Sequence, residues 1–549
     1  MPGSFVEDRP TPGAGRGRVT RFLGSALGFV YLAAFLSLSV QLVDLAGSRG
    51  LLPLADYLDR LRAADMTWLE RLHAFPTVLW ARPTDGALRL LPLAGAAASL
   101  PLIVGYGGRV IPLLLWVLYL SGITAARDFF YYQWDNLLLE IGFLAIFLPG
   151  RGSPPDPARG RTLPEPSPVL VFLLRWLLFR LLFESGLAKL VYGWDDWLDV
   201  VGMTFYYETA PLPSWGGWLV QQLPVWFHRA SVYFTLVLEL VLPFFIFMGR
   251  PFRIVFFLAH LLFQVSIALT SNYGFFNLLS IVVSLSVLED RDLRAATAWA
   301  RPRSRRGPGP APAAPPPEAL CSAGTRWRRA LHRFAPWALA AFVVPASIVE
   351  AVHYFIRRPA VSRVVAALRA PYRPYRSVNR YHLFPGIVRR RIVAEIQGTV
   401  DGREWLPYRP RYAPGDPRAA PPMTLLHNPR FPFHLSFYTL GRGGRDREYL
   451  GHLAKRLCCD PEAVSNLFEV NPFPESGPAA RRSVYYRYRF GTWEDLRRAG
   501  VYWLREPARR PTRAVACRCA PGGGGGDAAR GASGRPGDRA PSTRLDAVQ

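Results

Sequence analysis

Of the 66 lysines and arginines in this 549-residue chain, only Lys189 and Lys455 are lysines. An arginine keeps its proton inside a protein, whereas a desolvated lysine can lose it. Lys189 lies in a long apolar run and is therefore the candidate catalytic residue, as the general base of a proton transfer inside a membrane. In the structural alternative, which we favour, its ammonium reaches the outer interface beside Trp194 and Trp197. It can also pair with Glu184, five residues earlier.

A second set of polar side chains interrupts the apolar runs. The run 129–148 contains QWDNLLLE, in which Asp135 and Glu140 would be costly in lipid without partners. We favour a packed ion network that fixes the bundle geometry over a substrate site. The predicted intramembrane polar network comprises Arg127, Asp135, Glu140, Arg175, Arg180 and Glu184. Glu239 and His260, each alone in an apolar run, are interpreted as hydrogen-bond partners between helices.

Aromatic residues and prolines alternate in the stretch 202–231, GMTFYYETAPLPSWGGWLVQQLPVWFHRAS. This composition indicates an interfacial re-entrant or amphipathic segment with aromatic anchors. A secondary interpretation is a surface that receives an apolar client or lipid, with His228 as a polar anchor rather than a catalytic base. The candidate client or interface residues are Tyr206, Tyr207, Glu208, Trp226 and His228.

Several classes of function lack the motifs they require. The chain has no HExxH, no G-x-S-x-G elbow, no Walker loop and no cysteine–histidine zinc pattern, so we expect neither cofactor nor metal. The net charge of +26 lies mostly in loops, the linker and the tails, without a nucleic-acid-binding signature. We therefore expect membrane lipid and a client protein, and no nucleic acid, as partners.

The five cysteines all follow residue 320. They are Cys321, the adjacent Cys458 and Cys459, and the closely spaced Cys517 and Cys519. A disulfide between these last two groups requires an oxidising compartment, and the sequence leaves the pairing open.

Nine apolar runs approach the length needed to cross a bilayer. They are Phe22–Val43, Ala87–Tyr106, Val110–Ala126, Phe129–Leu148, Val169–Tyr192, Ser231–Met248, Ile254–Thr270, Tyr273–Leu288 and Phe334–Phe355. Basic loops alternate with acidic ones, which by the positive-inside rule places the N-terminus inside and the C-terminal domain outside. The predicted fold is a membrane α-helical bundle of about nine spans with a C-terminal soluble mixed, mostly β, domain.

The pattern changes after the last apolar run. Ile392–Val400, Asp401-Gly402 and Trp405–Tyr412 predict a β-hairpin, and Ser483–Phe490 predicts a strand. Glu448–Leu457 and Pro461–Phe468 predict short helices. The predicted divisions are a basic N-terminal tail (1–20), the transmembrane bundle (21–290), a Pro/Arg-rich linker (291–333), the final transmembrane helix (334–356), the extracytoplasmic domain (377–506) and a disordered tail (507–549).

A series of stretches resembles the lipase maturation factor family, in order and spacing, over about residues 20–505. In the bundle they include QWDNLLLEIGFLAIFL (133–148), RWLLFRLLFESGLAKL (175–190) and FYYETAPLP (205–213). In the C-terminal domain they include VNRYHLF (378–384), QGTVDGREW (397–405), YAPGDPRAAPP (412–422) and YYRYRF (485–490). The family's tryptophan-rich segment is represented only by FPFHLSFY (431–438).

The resemblance implies a membrane factor that helps secreted lipases reach active form, with the C-terminal domain meeting the client on the luminal side. The arginine-rich composition suggests a GC-rich bacterium, with the chain in the plasma membrane; a eukaryotic chain would lie in the endoplasmic reticulum membrane. A more distant similarity of SGLAKL to vitamin K-dependent γ-carboxylase-like proteins places Lys189 where their lysine acts as a base.

Two functions follow from these observations. The first is a maturation or assembly factor for secreted clients, with no chemistry of its own. The alternative is an integral membrane enzyme acting on a lipid or quinol-like substrate, with Lys189 as general base. We favour the first, and the identity of the client stays open.

Overall fold

The computed structural model describes residues 15–148, 165–299, 323–356, 359–440 and 447–519. Most of the predicted linker and the glycine run of the predicted tail lie outside these residues. Two parts of the chain follow each other, a helical N-terminal part and a C-terminal part that contains the strands.

The N-terminal part consists of helices, as its apolar runs predict. Its α-helices are α1 (Gly17–Ser39), α2 (Leu42–Ala46), α3 (Leu54–Ala63), α4 (Trp68–Ala74), α5 (Asp85–Ile103), α6 (Val110–Ala125), α7 (Gln133–Ala145), α8 (Pro168–Tyr192), α9 (Trp194–Trp197), α10 (Gly202–Thr209), α11 (Trp215–Gln221), α12 (Val225–Leu240), α13 (Arg250–Thr270), α14 (Phe276–Ser284) and α15 (Asp290–Trp299). Short 3₁₀ turns lie at Val78–Trp80, Arg127–Phe130, Leu242–Phe247 and Leu285–Val287. α8 lies centrally, packed against α7, α12 and α14.

The first helix begins with its backbone donors satisfied by distant carboxylates. The amide of Arg16 donates to Glu165 at 2.7 Å, and that of Val19 donates to Asp290 at 2.9 Å. The first N–H groups of a helix have no partner within the helix, so these two acids cap α1 and fix its start against α8 and α15.

Five helical segments of the described residues are long and apolar enough to cross a membrane. They are Gly17–Ser39, Asp85–Ile103, Val225–Phe247, Arg250–Thr270 and Phe334–Phe355. Each of the nine predicted runs overlaps a helix, but Val110–Ala125 and Phe276–Val287 are shorter, and α7 and α8 carry charged residues. By length and composition five of the described segments qualify as spans, and the count of about nine stays a prediction.

The C-terminal part mixes helices and strands more evenly than the predicted mostly β domain. Its helices are α16 (Ala323–Phe355), α17 (Pro359–Arg369), α18 (Arg430–Leu435), α19 (Arg447–Cys459) and α20 (Trp493–Ala499), with 3₁₀ turns at Arg373–Tyr375, Tyr438–Leu440 and Pro461–Leu467. Its strands are β1 (Arg391–Thr399), β2 (Leu406–Pro407), β3 (Arg409–Pro410), β4 (Phe468–Val470), β5 (Ala480–Phe490), β6 (Trp503–Arg509) and β7 (Val515–Ala516).

The long antiparallel pair β1–β5 is the centre of the sheet, in the order β2-β1-β5-β6, with β7 also paired to β5. The predicted Asp-Gly hairpin forms between β1 and β2, with Gly402 at a φ of +74°. Its second strand is shorter than predicted because Pro407 and Pro410 have no N–H for the ladder. β3 instead pairs with β4 in a separate two-stranded sheet.

The chain after Pro511 is ordered up to residue 519, where the sequence predicts disorder. Strand β7 pairs with β5, and two disulfides join residues 517 and 519 to α19. These disulfides are Cys458–Cys517 and Cys459–Cys519. The cross-links and the strand pairing hold a segment whose composition gives no apolar core signal.

Candidate functional site

Two segments of the C-terminal part enter the polar interior of the helical bundle. We call residues 376–391 the first docking segment and residues 422–434 the second docking segment. The buried charged residues of α7, α8 and α12 contact these segments or one another. Together they form the site that we describe as the docking site.

Glu140 on α7 has the largest set of partners in the docking site, and it is fully buried. One carboxylate oxygen pairs with the Arg180 guanidinium of α8. The other accepts the Asn379 amide N–H at 2.9 Å and the Tyr381 hydroxyl at 2.9 Å. Arg180 in turn donates to the Asn379 carbonyl at 2.8 Å. The predicted Arg180–Glu140 neighbourhood is present, but the first docking segment completes it.

Asp135, one turn earlier on α7, pairs with an arginine from the second docking segment. Arg430 donates to both oxygens of Asp135 at 2.7 Å, in the bidentate arrangement that favours arginine over lysine. The Tyr119 hydroxyl adds a third bond at 2.6 Å. Asp135 is fully buried and Arg430 is 2% exposed, so neither charge has access to solvent.

Lys189 pairs with Glu239 of α12, and not with the predicted Glu184. Its ammonium lies 3.0 Å and 2.7 Å from the two Glu239 oxygens and donates to the Leu383 carbonyl at 2.7 Å. The ring of Trp197 lies 4.8 Å away, as the structural alternative anticipated for this tryptophan. Lys189 is 1% exposed and therefore does not reach the interface. Glu184 lies on a different face of α8 because five residues span more than one helical turn.

The backbone of the first docking segment follows α8 by a series of polar contacts. The Tyr381 amide donates to Glu184 at 2.8 Å, and the Leu383 amide donates to the Ser185 hydroxyl at 3.1 Å. The His382 amide donates to Gln133 of α7 at 2.8 Å. Side chains of the bundle thus satisfy three consecutive amides that have no strand partner.

Arg391, at the start of β1, holds the end of α10. Its guanidinium donates to the carbonyls of Glu208 and Ala210, the last ones of that helix, where a cation is favoured. Burial lowers the pKa of Arg391 to about 10. Burial also raises the pKa of the Glu208 carboxyl, against the opposing effects of the Phe490 amide and nearby arginines. Glu208 accepts that amide at 3.2 Å.

The candidate client or interface residues occupy different environments. Tyr206 and Tyr207 are buried, and the Tyr206 hydroxyl bonds to Tyr273 at 2.9 Å. His228 is 3% exposed and bonds to the Leu223 carbonyl at 3.1 Å. Trp226 is 69% exposed, and Glu208 is half-buried.

Two residues of the predicted intramembrane network lie outside the docking site. Arg127 stacks over the Tyr57 ring at 4.4 Å and lies 3.5 Å from Glu448. Arg175 donates to the Ser286 and Val287 carbonyls. Neither contacts Asp135 or Glu140 in the interactions described: Arg127 lies in the 3₁₀ turn before α7, and Arg175 lies on α8 five residues before Arg180.

The docking segments supply three partners that the sequence interpretation missed, namely Asn379, Tyr381 and Arg430. A signal for the first two was present, because both fall in the family-like stretch VNRYHLF. The excess of acids over bases in the apolar runs also indicated that cations had to come from elsewhere.

His260, as expected of an inter-helix partner, contacts the Ser280 hydroxyl of α14 at 3.1 Å.

The charged side chains of the docking site are paired with one another or with the docking segments. Among the described residues, no three metal-binding side chains lie close enough to hold a metal ion. A cavity of about 370 Å³ lies elsewhere, between Pro213 and the loop around Tyr412 and Asp416. The arrangement is suited to holding the C-terminal part in one orientation on the bundle.

Comparison with known proteins adds a second line of evidence. The family described as "Lipase maturation factor transmembrane domain" matches residues 19–295, and "Lipase maturation factor C-terminal domain" matches residues 377–511. The chain is 31% identical to Lipase maturation factor 1 of Bos taurus, over 87% of each chain. It is 30% identical to Lipase maturation factor 2 of Rattus norvegicus, over 87% of this chain and 80% of that one. No solved structure matches. The chain therefore belongs to the lipase maturation factor family.

Proposed function

We propose that this protein is an integral membrane factor that assists the folding or assembly of secreted lipases. The observation that carries the proposal is the match to relatives named lipase maturation factor, which runs through both parts of the chain. A match confined to the bundle would support a common membrane scaffold only. A match that includes the C-terminal part supports a common task for the two parts together.

We infer nine membrane crossings, with the N-terminus inside and the C-terminal part that follows α16 outside. Four of the nine segments fall short of the limits of length and composition: α6, α7 and Phe276–Val287 are too short, and α8 has too many charged residues. α7 carries charged residues as well. The partners of those charges support their crossing, because Asp135, Glu140 and Lys189 are all paired and buried inside the protein. A paired charge that faces the bundle interior is tolerated at membrane depth.

The two disulfides support a location of the C-terminal part in an oxidising compartment. The periplasmic or extracellular side of a plasma membrane and the lumen of the endoplasmic reticulum both satisfy this condition. The arginine-rich composition favours a bacterial plasma membrane, and the named relatives are animal proteins.

The test of this function is the secretion of an active lipase. A host strain that lacks any lipase maturation factor is given a secreted lipase, with or without this chain. We expect lipase activity per amount of secreted lipase to rise with the chain present. Equal activity at verified membrane expression would overturn the proposal.

The enzyme alternative assigns Lys189 a proton-transfer role, and the contacts of Lys189 favour a structural one. Its ammonium donates to two acceptors, Glu239 and the Leu383 carbonyl, which link α8 to α12 and to the first docking segment. Replacing one member of a buried ion pair is costly, whereas replacing both by apolar residues is often neutral.

A double variant separates the two functions. We expect Lys189→Met alone to impair folding, and Lys189→Met with Glu239→Met to restore both folding and lipase maturation. A double variant that folds normally but fails to mature the lipase would favour the enzyme. Lys189→Arg alone is a weaker test, because the larger guanidinium also disturbs packing against Trp197.

A further inference from the structure

The short helix α20 of the C-terminal part lies beside the aromatic loop that joins α10 to α12. Trp493, its first residue, contacts the Trp218 ring of α11 with the centroids 4.7 Å apart. The Trp218 indole donates to the Gly491 carbonyl at 2.9 Å, and Gln222 donates to the same oxygen at 3.2 Å. These contacts fix α20 against α11.

The position of α11 on the bundle sets the depth of this contact. The Ser214 hydroxyl donates to the Thr270 carbonyl at 2.6 Å, so α11 begins on the outer end of α13. A Cβ atom at Gly216 would lie 1.8 Å from the Leu269 carbonyl oxygen, so the two helices touch through backbone. α11 therefore lies at the level where α13 leaves the apolar layer.

The surface at this level is apolar and continuous with the exposed faces of the long helices. On α13 the exposed residues are Leu258, Leu262, Val265 and Leu269. Beside α11 and at the start of α12 they are Trp215, Leu223, Val225 and Trp226. Trp493 extends the same surface and is 46% exposed. Soluble proteins rarely expose contiguous apolar surface of this extent.

Exposed arginines border the apolar residues. Arg229 lies one turn after Trp226, and Arg498, whose exposed guanidinium pairs with Glu494 at 2.6 Å, follows Trp493 on α20. Tryptophan is enriched at the headgroup level of membranes, where its ring is apolar and its N–H reaches polar groups. Arginine binds phosphate by paired N–H donors. The exposed tryptophans and the arginines beside them therefore match the headgroup region and the phosphates of a phospholipid surface.

We propose that α20 rests on the outer leaflet of the bilayer, with Trp493 inserted among phospholipid headgroups and Arg498 binding a lipid phosphate, since its exposed pair with Glu494 is weak. The C-terminal part is then attached to the membrane surface as well as to the docking site. The other faces of the C-terminal part are then turned away from the lipid. The inference rests on the membrane orientation given under the proposed function.

Photo-crosslinking in nanodiscs tests this contact in the full chain. Benzoylphenylalanine replaces Trp493 in one variant, and the nanodiscs contain a radiolabelled phospholipid. A second variant carries the crosslinker at Trp215, as a reference at the bundle surface. A third carries it at Val400, which is 68% exposed on the β1–β2 hairpin of the same C-terminal part. Intact disulfides on a non-reducing gel show that each variant is folded.

We expect the label on the Trp493 variant to exceed that on the Val400 variant several-fold and to approach that on the Trp215 variant. Equal labelling at Trp493 and Val400, with Trp215 labelled, would overturn the contact of α20 with lipid alone. Absence of label at Trp215 as well would overturn the membrane orientation on which it rests. A crosslink from Trp493 to protein instead of lipid would also contradict the proposal.

Discussion

Replacement of Arg430 by methionine should release the second docking segment from the bundle. The variant leaves Asp135 fully buried without its paired cation, while the Tyr119 hydroxyl remains as a hydrogen-bond donor to it. Removing one partner of a buried ion pair costs about 3–5 kcal/mol. Since each 1.4 kcal/mol is tenfold, the docked state should weaken by roughly 100- to 4,000-fold.

An exposed ion pair between the same two parts of the chain serves as the matched control. Arg49 follows α2 and pairs with Asp460, and its side chain is 54% exposed. Exposed pairs contribute about 0–1 kcal/mol, so Arg49→Met should change docking by less than about fivefold. Both variants remove an arginine that links the N-terminal and C-terminal parts. They differ in whether that arginine is buried or exposed.

The assay is a urea titration of the purified chain in nanodiscs, with a brief pulse of protease that cuts the released C-terminal part. The midpoint should fall for Arg430→Met and stay almost unchanged for Arg49→Met. Asp135→Asn combined with Arg430→Met should recover part of the loss, because no charge then remains buried and unpaired. Equal midpoints for the two single variants would refute the importance of burial, and an additive double variant would refute the pairing.

Two further predictions concern stability. Burial and the nearby Arg430 lower the pKa of His427 to about 4, below its ordinary value of about 6.5. Between these two pH values the unfolded chain binds more protons than the folded one, so the free energy of unfolding should fall as the pH drops from about 6.5 to about 4. His427→Gln should remove this contribution, which urea titrations at several pH values measure. Gly216→Ala should destabilise the chain by about 1–3 kcal/mol, because its methyl group clashes with the Leu269 carbonyl. Gly451→Ala, on α19 with open space around it, should stabilise the chain by about 0.5–1 kcal/mol, because alanine favours a helix over glycine. Thermal unfolding of the two glycine variants side by side checks the sign of each.

The sequence predicts the helices and strands of this fold better than it predicts which buried charges pair with one another. Apolar runs of 16 or more residues predict a helix whatever surrounds them, and every predicted run overlaps one. The Asp-Gly turn predicts the β1–β2 hairpin from local backbone geometry alone. The short β2 could also have been anticipated, because prolines at 407 and 410 limit the ladder.

Pairing of buried charges depends on helix rotation and on distant segments, which no local pattern contains. Lys189 and Glu239 are 50 residues apart, and Asp135 and Arg430 are 295 apart. The choice of Glu184 as a partner for Lys189 used sequence proximity, and proximity along a helix selects a face only at three or four residues. The ordered end of the chain at 511–519 depends in the same way on cysteines 59 and 60 residues earlier.

These long-range pairs change what a truncation of the chain can reveal. Removing everything after Phe355 removes Arg430, Asn379 and Tyr381 together, and leaves Asp135 without its cation. Each buried polar group left unpaired costs about 1–3 kcal/mol, and an unpaired charge costs more. The sum is comparable with the 5–15 kcal/mol by which a whole protein is typically stable. Loss of lipase maturation in such a truncation would therefore follow from the collapse of the bundle alone. A role of the C-terminal part in client binding has to be tested by substitutions at its exposed residues, with the docking segments intact.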